Sequence, residues 1–388
     1  MGAKITFFPV ANGDMTLIRL ADTRVTTILI DIKIRKPADD TPDVAAQLRK
    51  RLQYDAKNRP FVDVFLLSHP DQDHILGLQK HFWLGRPEDY PDDDKKASER
   101  RIIIREIWSS PMVFRRHEKN NHVLCQDAKD FATEVRRRVK HWKANRTAGP
   151  GNRLLILGED EGNKTDDLQE ILIKTGETLD RIGGESFSSL FSAILLAPAP
   201  RQDDELEEKL SKNNSSVILR MKIFAAKGSA NHVKFLSGGD AGVVIWERMW
   251  DNYKNEPEVL EYDLLQAPHH CSWRSLSYDS WSDKQDEAKV CEGAREALSQ
   301  ALDGATIVSS SAKIVDDDND PPCIRAKTEY KSILRSVDGA FLCTGDDKAG
   351  NETELEIQPN GKLVRVVVGA LAAGLSVAAA AAPRAGKQ

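Results

Sequence analysis

"LLSHPDQDHILGL", residues 66–78, decides how this chain is read. An apolar run stops at Ser68, and the stretch from His69 to His74 then holds two histidines and two aspartates: His69, Asp71, Asp73 and His74. Polar groups this dense beside a buried strand are costly unless something binds them together. The preceding "FVDVFLLSH" (61–69) is a nearly continuous apolar run, as expected of a strand covered on both faces. Imidazole and carboxylate groups gathered at a strand end are donors for a divalent cation. One loop of this kind can offer His69 and Asp71 to one ion and Asp73 and His74 to a second, in the manner of hydrolytic sites whose two ions sit ~3.5–4 Å apart.

Two further stretches supply donors. "FLSGGDAG" (235–242) ends a strand in two glycines and Asp240, which suits a carboxylate brought close to an ion by a tight turn. "LLQAPHHCS" (264–272) ends another strand in His269 and His270. A lone Gly-Asp turn is usually structural, and a His-His pair is often a surface accident. Three such strand ends in one chain make chance a poor explanation.

Working outward, "KITFFPV" (4–10), "MTLIRL" (15–20) and "TTILID" (26–31) read as short strands. "ILGLQKHFW" (75–83) reads as a helix after the histidine-aspartate loop. From about 90 to 184 the pattern becomes more helical. Leu124, Ala128, Phe131, Val135, Val139 and Trp142 recur at three and four residues, and Arg136, Arg137, Arg138, Lys140, Lys143 and Arg146 fall on the opposite face. "DLQEILIKTGETLDRI" (167–182) reads as a second helix. Strand patterns return with "FSAILLAPAP" (191–200), "SSVILRMKIFA" (215–225) and "HVKFLSGGD" (232–240). Helices over 292–302 and 327–337 flank the strand "ATIVSSS" (305–311), and "TELEIQPNGKLVRVVV" (353–368) reads as a hairpin about its "PNG" turn. This order predicts two packed sheets with helices outside, and no repeat of fixed period.

The totals fit a soluble globular chain: 388 residues, 40% hydrophobic and 30% charged. A net charge of −5 does not advertise nucleic-acid binding, so any basic surface must be local. Five cysteines without CxxC spacing (Cys125, Cys271, Cys291, Cys323 and Cys343) read as reduced thiols in a cytoplasmic protein. "MGAKITFFPV" enters a strand directly and shows no secretory pattern. Residues 366–388 form an Ala-rich apolar tail, read as a loosely packed helix, with contact to a membrane or a partner protein as the alternative.

The ordered set resembles the metallo-β-lactamase superfamily, whose signature loop is HxHxDH. It is closer to the branch found in ComEC-type DNA-uptake proteins, where the loop reads HxDxDH, as "SHPDQDHILGL" does. "FFPVANGDMTLIRL…TILID", "NNSSVILRM…FLSGGD" and "LLQAPHHCS" resemble the other motifs of that branch in the same order. The resemblance implies an α/β fold, an αββα sandwich of two mixed sheets with outer helices, spanning 1–365 with a helical insertion about 90–184. It implies two divalent ions, zinc or manganese, and hydrolysis by a metal-activated hydroxide. Carried over by position, His69, Asp71, Asp73, His74, Asp240 and His269 are metal ligands, with Asp240 bridging. Asp73, Asp240 and His270 are the catalytic set. Which of His269 and His270 is the ligand stays open, and Asp31 orients the loop.

There are departures. Asn213 and Asn214 stand where other members have a third histidine for the first ion. "DIK" follows Asp31 in place of a glycine pair. Cys271 replaces a glycine and is read as a small residue, with a soft ligand as the alternative. "DDDNDPPCIRAKTEY" (316–330) replaces a histidine-containing turn. His81, His117, His122, His141 and His232 are read as surface or capping residues. The expected function is a phosphodiesterase or nuclease acting on DNA or RNA, with Arg136, Arg137, Lys140 and Asn214 as substrate contacts. The alternatives are a small-molecule hydrolase (of a cyclic nucleotide, a lactone or another ester) and a non-catalytic metal-binding regulatory module.

Overall fold

Alternation along each strand sends side chains to two different layers. In the neighbouring strands Thr16–Arg19, Thr27–Ile30 and Pro60–Leu66, the residues Ile18, Ile28, Ile30, Val64 and Leu66 point one way, and Leu17, Leu29 and Phe65 the other. All are buried, because helices cover the outer face while a second sheet covers the inner one. This is why the runs look continuously apolar. The structure, a computed structural model, describes residues 2–366 apart from 39, 202–206, 208–209 and 211–213.

The first sheet has the spatial order 172–173, 153–157, 102–109, 60–66, 27–30, 16–19, 4–7, 353–357, 363–366. Its strands 27–30, 60–66, 102–109 and 153–157 run parallel, and the rest of this path beyond 27–30 is antiparallel. The second sheet has the order 178–179, 191–197, 218–224, 232–237, 262–266, 301–309, 340–343, with the last four parallel. Between the sheets lies one core that includes Ile5, Phe7, Ile28, Val64 and Trp108 from the first and Phe191, Leu219, Met221, Phe235 and Val308 from the second. Phe7 and Phe235 meet across it edge to face at 6.0 Å. Helices Val243–Tyr253 and Ile324–Arg335 cover the second sheet, and Gln126–Asn145 covers the first. The architecture is therefore the two-sheet sandwich with outer helices expected from the strand and helix order.

Some elements differ from their sequence patterns. Residues 75–83 do not form one helix: Gly77, at φ +94°, separates single turns at Gln72–Ile75 and Leu78–His81. A Cβ at Gly77 would sit 2.8 Å from the Ile34 carbonyl oxygen, so the break comes with close backbone approach. The segment 167–182 is not a helix either. A 3-10 turn, Asp166–Ile171, gives way to short strands at Leu172–Ile173, Thr178–Leu179 and Arg181–Ile182. Gly176 at φ +88° and the β-branched Ile171, Ile173, Thr175 and Thr178 disfavour a continuous helix, while sheet edges are at hand to pair with. The stretch 90–184 contains helices Pro111–Glu118 and Gln126–Asn145, but also strands Ile102–Ser109 and Arg153–Leu157 inside the first sheet.

The hairpin forms as read, Thr353–Ile357 pairing with Leu363–Val366. The apolar tail from 367 onward lies outside the described residues. Among those described, no helix is long and apolar enough to cross a membrane.

Candidate metal centre

Strands that run parallel leave their sheet at the same end, and the crevice outside those carboxyl ends is where α/β folds collect functional groups. Strand 60–66 delivers His69, Asp71, Asp73 and His74 there. Strand 27–30 delivers Asp31, strand 232–237 delivers Asp240, and strand 262–266 delivers His269 and His270. The two sheets are tied at this end by the Val217 N–H, which donates to the Ser68 carbonyl at 2.9 Å. Gly239, at φ +49°, allows the approach of the strand end to the loop: a Cβ there would sit 2.7 Å from Ser68 Oγ and 3.1 Å from Ser216 Oγ. The Asp240 N–H donates to Ser216 Oγ at 3.1 Å.

Asp31 is the anchor of the loop. Held at φ +54°, it accepts hydrogen bonds from the Ser68 N–H at 2.7 Å, the Ser68 hydroxyl and His74 Nδ1 at 2.8 Å. With Nδ1 engaged, the other ring nitrogen of His74 faces Asp240 Oδ1 at 2.9 Å. Asp14 has a parallel relation to His270: its Oδ1 lies 3.3 Å from Nδ1, and its N–H donates to the Asp73 carbonyl at 3.2 Å. Carboxylates that bind the far nitrogen of an imidazole fix its tautomer and aim.

The donors fall into three groups: two share the Asp240 carboxylate, and a third, Asp14, Asp31 and His74, lies behind His74. Donor atoms of Asp73, His74, Asp240 and His270 lie within 4.8 Å of one another, and so do those of His69, Asp71 and Asp240. Within the two groups that share Asp240, His69 falls with Asp71, and Asp73 with His74. The second histidine of the pair, rather than the first, enters the four-residue group. His270 Nε2 is 3.3 Å from Asp73 Oδ2 and 3.4 Å from Asp240 Oδ1, whereas His269 Nε2 is 3.8 Å from Asp240 Oδ2 and outside both groups. Three successive residues in left-handed backbone, His269, His270 and Cys271 at φ +50°, +54° and +67°, set this turn. Glycine suits such a position. Cys271 occupies it with a buried side chain in the core behind the second sheet, where burial pushes its thiol pKa well up and away from a ligand thiolate.

The electrostatics are set by buried carboxylates and imidazoles in mutual contact. Burial disfavours charge on His74 and His270, yet Asp240, with Asp31 beside the one and Asp14 and Asp73 beside the other, overrides it. His74 is held protonated well above its ordinary range and His270 is raised to about 10. Burial prevails at His69 and lowers it to about 4. Asp73 and Asp240 are pushed down against burial by the surrounding imidazoles. His69 Nε2, Asp240 Oδ1 and His270 Nε2 are buried without an aligned hydrogen bond. Buried polar atoms are normally satisfied, so orphaned donors aimed at common points fit a divalent ion. Solvent reaches the centre past Asp73, whose side chain is 33% exposed, and Asp71, at 19%. Lys33, half-buried and donating to the Asn12 carbonyl, adds a cation that feels Asp73, Asp14 and Asp240.

Two residues were missed by the sequence reading. Asp14 had a signal, the Asn-Gly-Asp turn, without a role attached. His117, read as a surface or capping residue, is instead 2% exposed, with Nε2 only 2.6 Å from Asp71 Oδ1. No ligand-type spacing links it to the loop.

The basic helix face is partly tied down within the protein. Arg138 is buried against Glu134 and the carbonyls of Ile104 and Arg153. Arg137 bonds Glu134, Asn152 and Gly151, Lys143 pairs with Asp167 at 2.7 Å, and Arg146 donates to the Asp167 carbonyl. Arg136, Lys140, Lys143 and Arg146 are exposed. The end of this helix nearest the centre is the other one, where Asp127 caps Gly77 and Gln79. Asn214 precedes Ser215 and Ser216, and Asn213 lies outside the described residues.

No family model matches the chain, and no curated protein matches it. Among solved structures it is similar to unliganded yeast PDE1, at 11% identity and a TM-score of 0.40, over 88% of this chain and 98% of that one. At that distance the site stands on its own geometry.

Proposed function

We propose that this chain is a metal-dependent hydrolase of phosphodiesters, of the HxDxDH kind its loop resembles. The observation that carries the reading is Asp240, one buried carboxylate shared by two groups of donors. His69, Asp71 and Asp240 would hold one divalent ion, and Asp73, His74, Asp240 and His270 the other. The nitrogen and oxygen mixture suits zinc or manganese. Bound there, such ions supply Lewis acidity and a water of lowered pKa. Asp73, the most accessible carboxylate of the set, orients the attacking water. His269, next to the centre but outside both groups, is kept neutral by burial and would take a proton from the attacking water. Lys33 favours an anionic substrate over a neutral ester.

A small phosphodiester, such as a cyclic nucleotide, is a second reading. It is favoured by the binding of Arg137 and Arg138 within the protein, which leaves Arg136, Lys140, Lys143 and Arg146 as the exposed cations of that helix face, the last two beside Asp167. A nucleic-acid strand needs a longer cationic track.

One experiment tests both readings. A nitrophenyl phosphodiester, cyclic nucleotides, plasmid DNA, RNA and a lactone are offered with zinc or manganese to the wild type and to Asp73→Ala. Phosphodiester turnover should fall in the variant by more than the roughly 100-fold that loss of an outer-shell partner costs, with its fold intact. Equal turnover by both proteins rules out the assignment.

A further inference from the structure

Parallel neighbours in a sheet leave it side by side, and strand Ile102–Ser109 is the parallel neighbour of the strand that carries the loop. The Leu67 N–H donates to the Trp108 carbonyl, so the chain leaving strand 102–109 starts beside the chain entering His69. Pro111 then opens helix Pro111–Glu118 in the first helical position, where its missing N–H costs nothing. Val113 and His117, one turn apart, both face inward, at 3% and 2% exposure. The His117 ring lies 5.7 Å from that of His69, and its Nε2 is 2.6 Å from Asp71 Oδ1.

An ionised carboxylate accepts and cannot donate, so Nε2 must carry the proton in this bond. The Nδ1 atom is then buried without a hydrogen-bond partner among the described residues. Burying an imidazole with one nitrogen unsatisfied costs free energy, and Asp71 is the polar partner that offsets it. Asp71 is also where this chain departs from a histidine loop. Unlike an imidazole ring, a carboxylate on a short side chain can rotate between monodentate and bidentate positions.

We propose that His117 is a positioning residue of the metal centre: it holds Asp71 Oδ1 and so fixes the orientation of the carboxylate that would serve the first ion. It acts from a helix outside the histidine-aspartate motifs. The inference rests on the metal reading above and assigns His117 to one of its two sites. It also accounts for an aspartate serving where a ring would be rigid without help.

The test measures metal binding rather than turnover. Metal-free wild type, His117→Ala and His117→Gln are titrated with zinc and with manganese by calorimetry, and melting of each metal-free protein is followed by circular dichroism. His117→Ala should bind one of the two ions 10- to 100-fold more weakly, the usual cost of losing such a partner, and the other ion normally. His117→Gln, which keeps an N–H donor, should recover most of that loss, and metal-free melting of the glutamine variant should match the wild type. Wild-type affinity for both ions in His117→Ala, or a glutamine variant as weak as the alanine one, overturns the proposal. A wild type that binds no metal overturns the metal-centre reading itself, and the two failures are thereby distinct.

Discussion

Asp240 faces three imidazoles: His74 Nε2 at 2.9 Å, His270 Nε2 at 3.4 Å and His269 Nε2 at 3.8 Å. At 1% exposure its charge is hardly shared with water, so it is balanced by protons on its neighbours. His270, raised to about 10, and His74, raised well above its ordinary value, are both protonated at neutral pH. A divalent cation must take the place of those protons, because a ligating imidazole is neutral. Metal uptake is therefore expected to release roughly two protons and to strengthen as pH rises. Zinc titrations at pH 7 in buffers of different ionisation enthalpy read the number directly. Heats independent of the buffer would contradict this account of His74 and His270.

At the scale of elements, the strand Thr353–Ile357 shows how a late segment is locked to the first one. It pairs with Lys4–Phe7, and its Glu354 accepts from Lys4 Nζ at 3.0 Å, Arg19 Nη2 at 2.6 Å, Arg51 Nε at 3.3 Å and Thr6 Oγ1 at 3.1 Å. Burial raises the carboxyl pKa, but Arg19, Lys4 and Arg51 outweigh it, and the net value lies below the ordinary 4.5. A depressed folded pKa contributes stability that is fully present above 4.5 and is lost as pH falls through the lower folded value. Glu354→Gln should cost about 1–3 kcal/mol near pH 7, since it strands Arg19 beside a side chain only 7% exposed, while Lys4 keeps Glu356 and Arg51 keeps Glu352. The gap between variant and wild type should close below pH 4.5, which urea melts at pH 7, 5 and 3.5 would show. The same scale separates legible elements from illegible ones. Strong periodicity marked the helix Gln126–Asn145 and the core strands. Residues 167–182 also read as a helix, but Gly176 and the β-branched residues weakened it and pairing with sheet edges overrode it.

At the scale of the whole molecule, the centre joins four strand ends drawn from both sheets, so an ion bound there links the two halves of the sandwich. A ligand that binds only the folded state stabilises it by about 2.7 kcal/mol at a hundredfold excess over its Kd. Zinc or manganese should therefore raise the melting temperature with concentration, and chelation should reverse the rise. Asp240→Asn, which weakens the shared ligand, should remove most of it; an undiminished shift in that variant would place the binding elsewhere.

What the chain determined by itself was local. Donor residues crowded into a short loop, glycines before Asp240 and apolar runs of strand length are all patterns within a few neighbours, and they carried the sandwich and most of the centre. Tertiary structure alone decided three things. It put His270 rather than His269 in the four-residue donor group, because that depends on three left-handed residues in succession. It buried Arg138 and tied down Arg137, because Asn152, Ile104 and Arg153 reach them from other segments. It brought His117 to Asp71 across 46 residues of chain, because parallel strands leave a sheet side by side, a fact of pairing rather than of spacing.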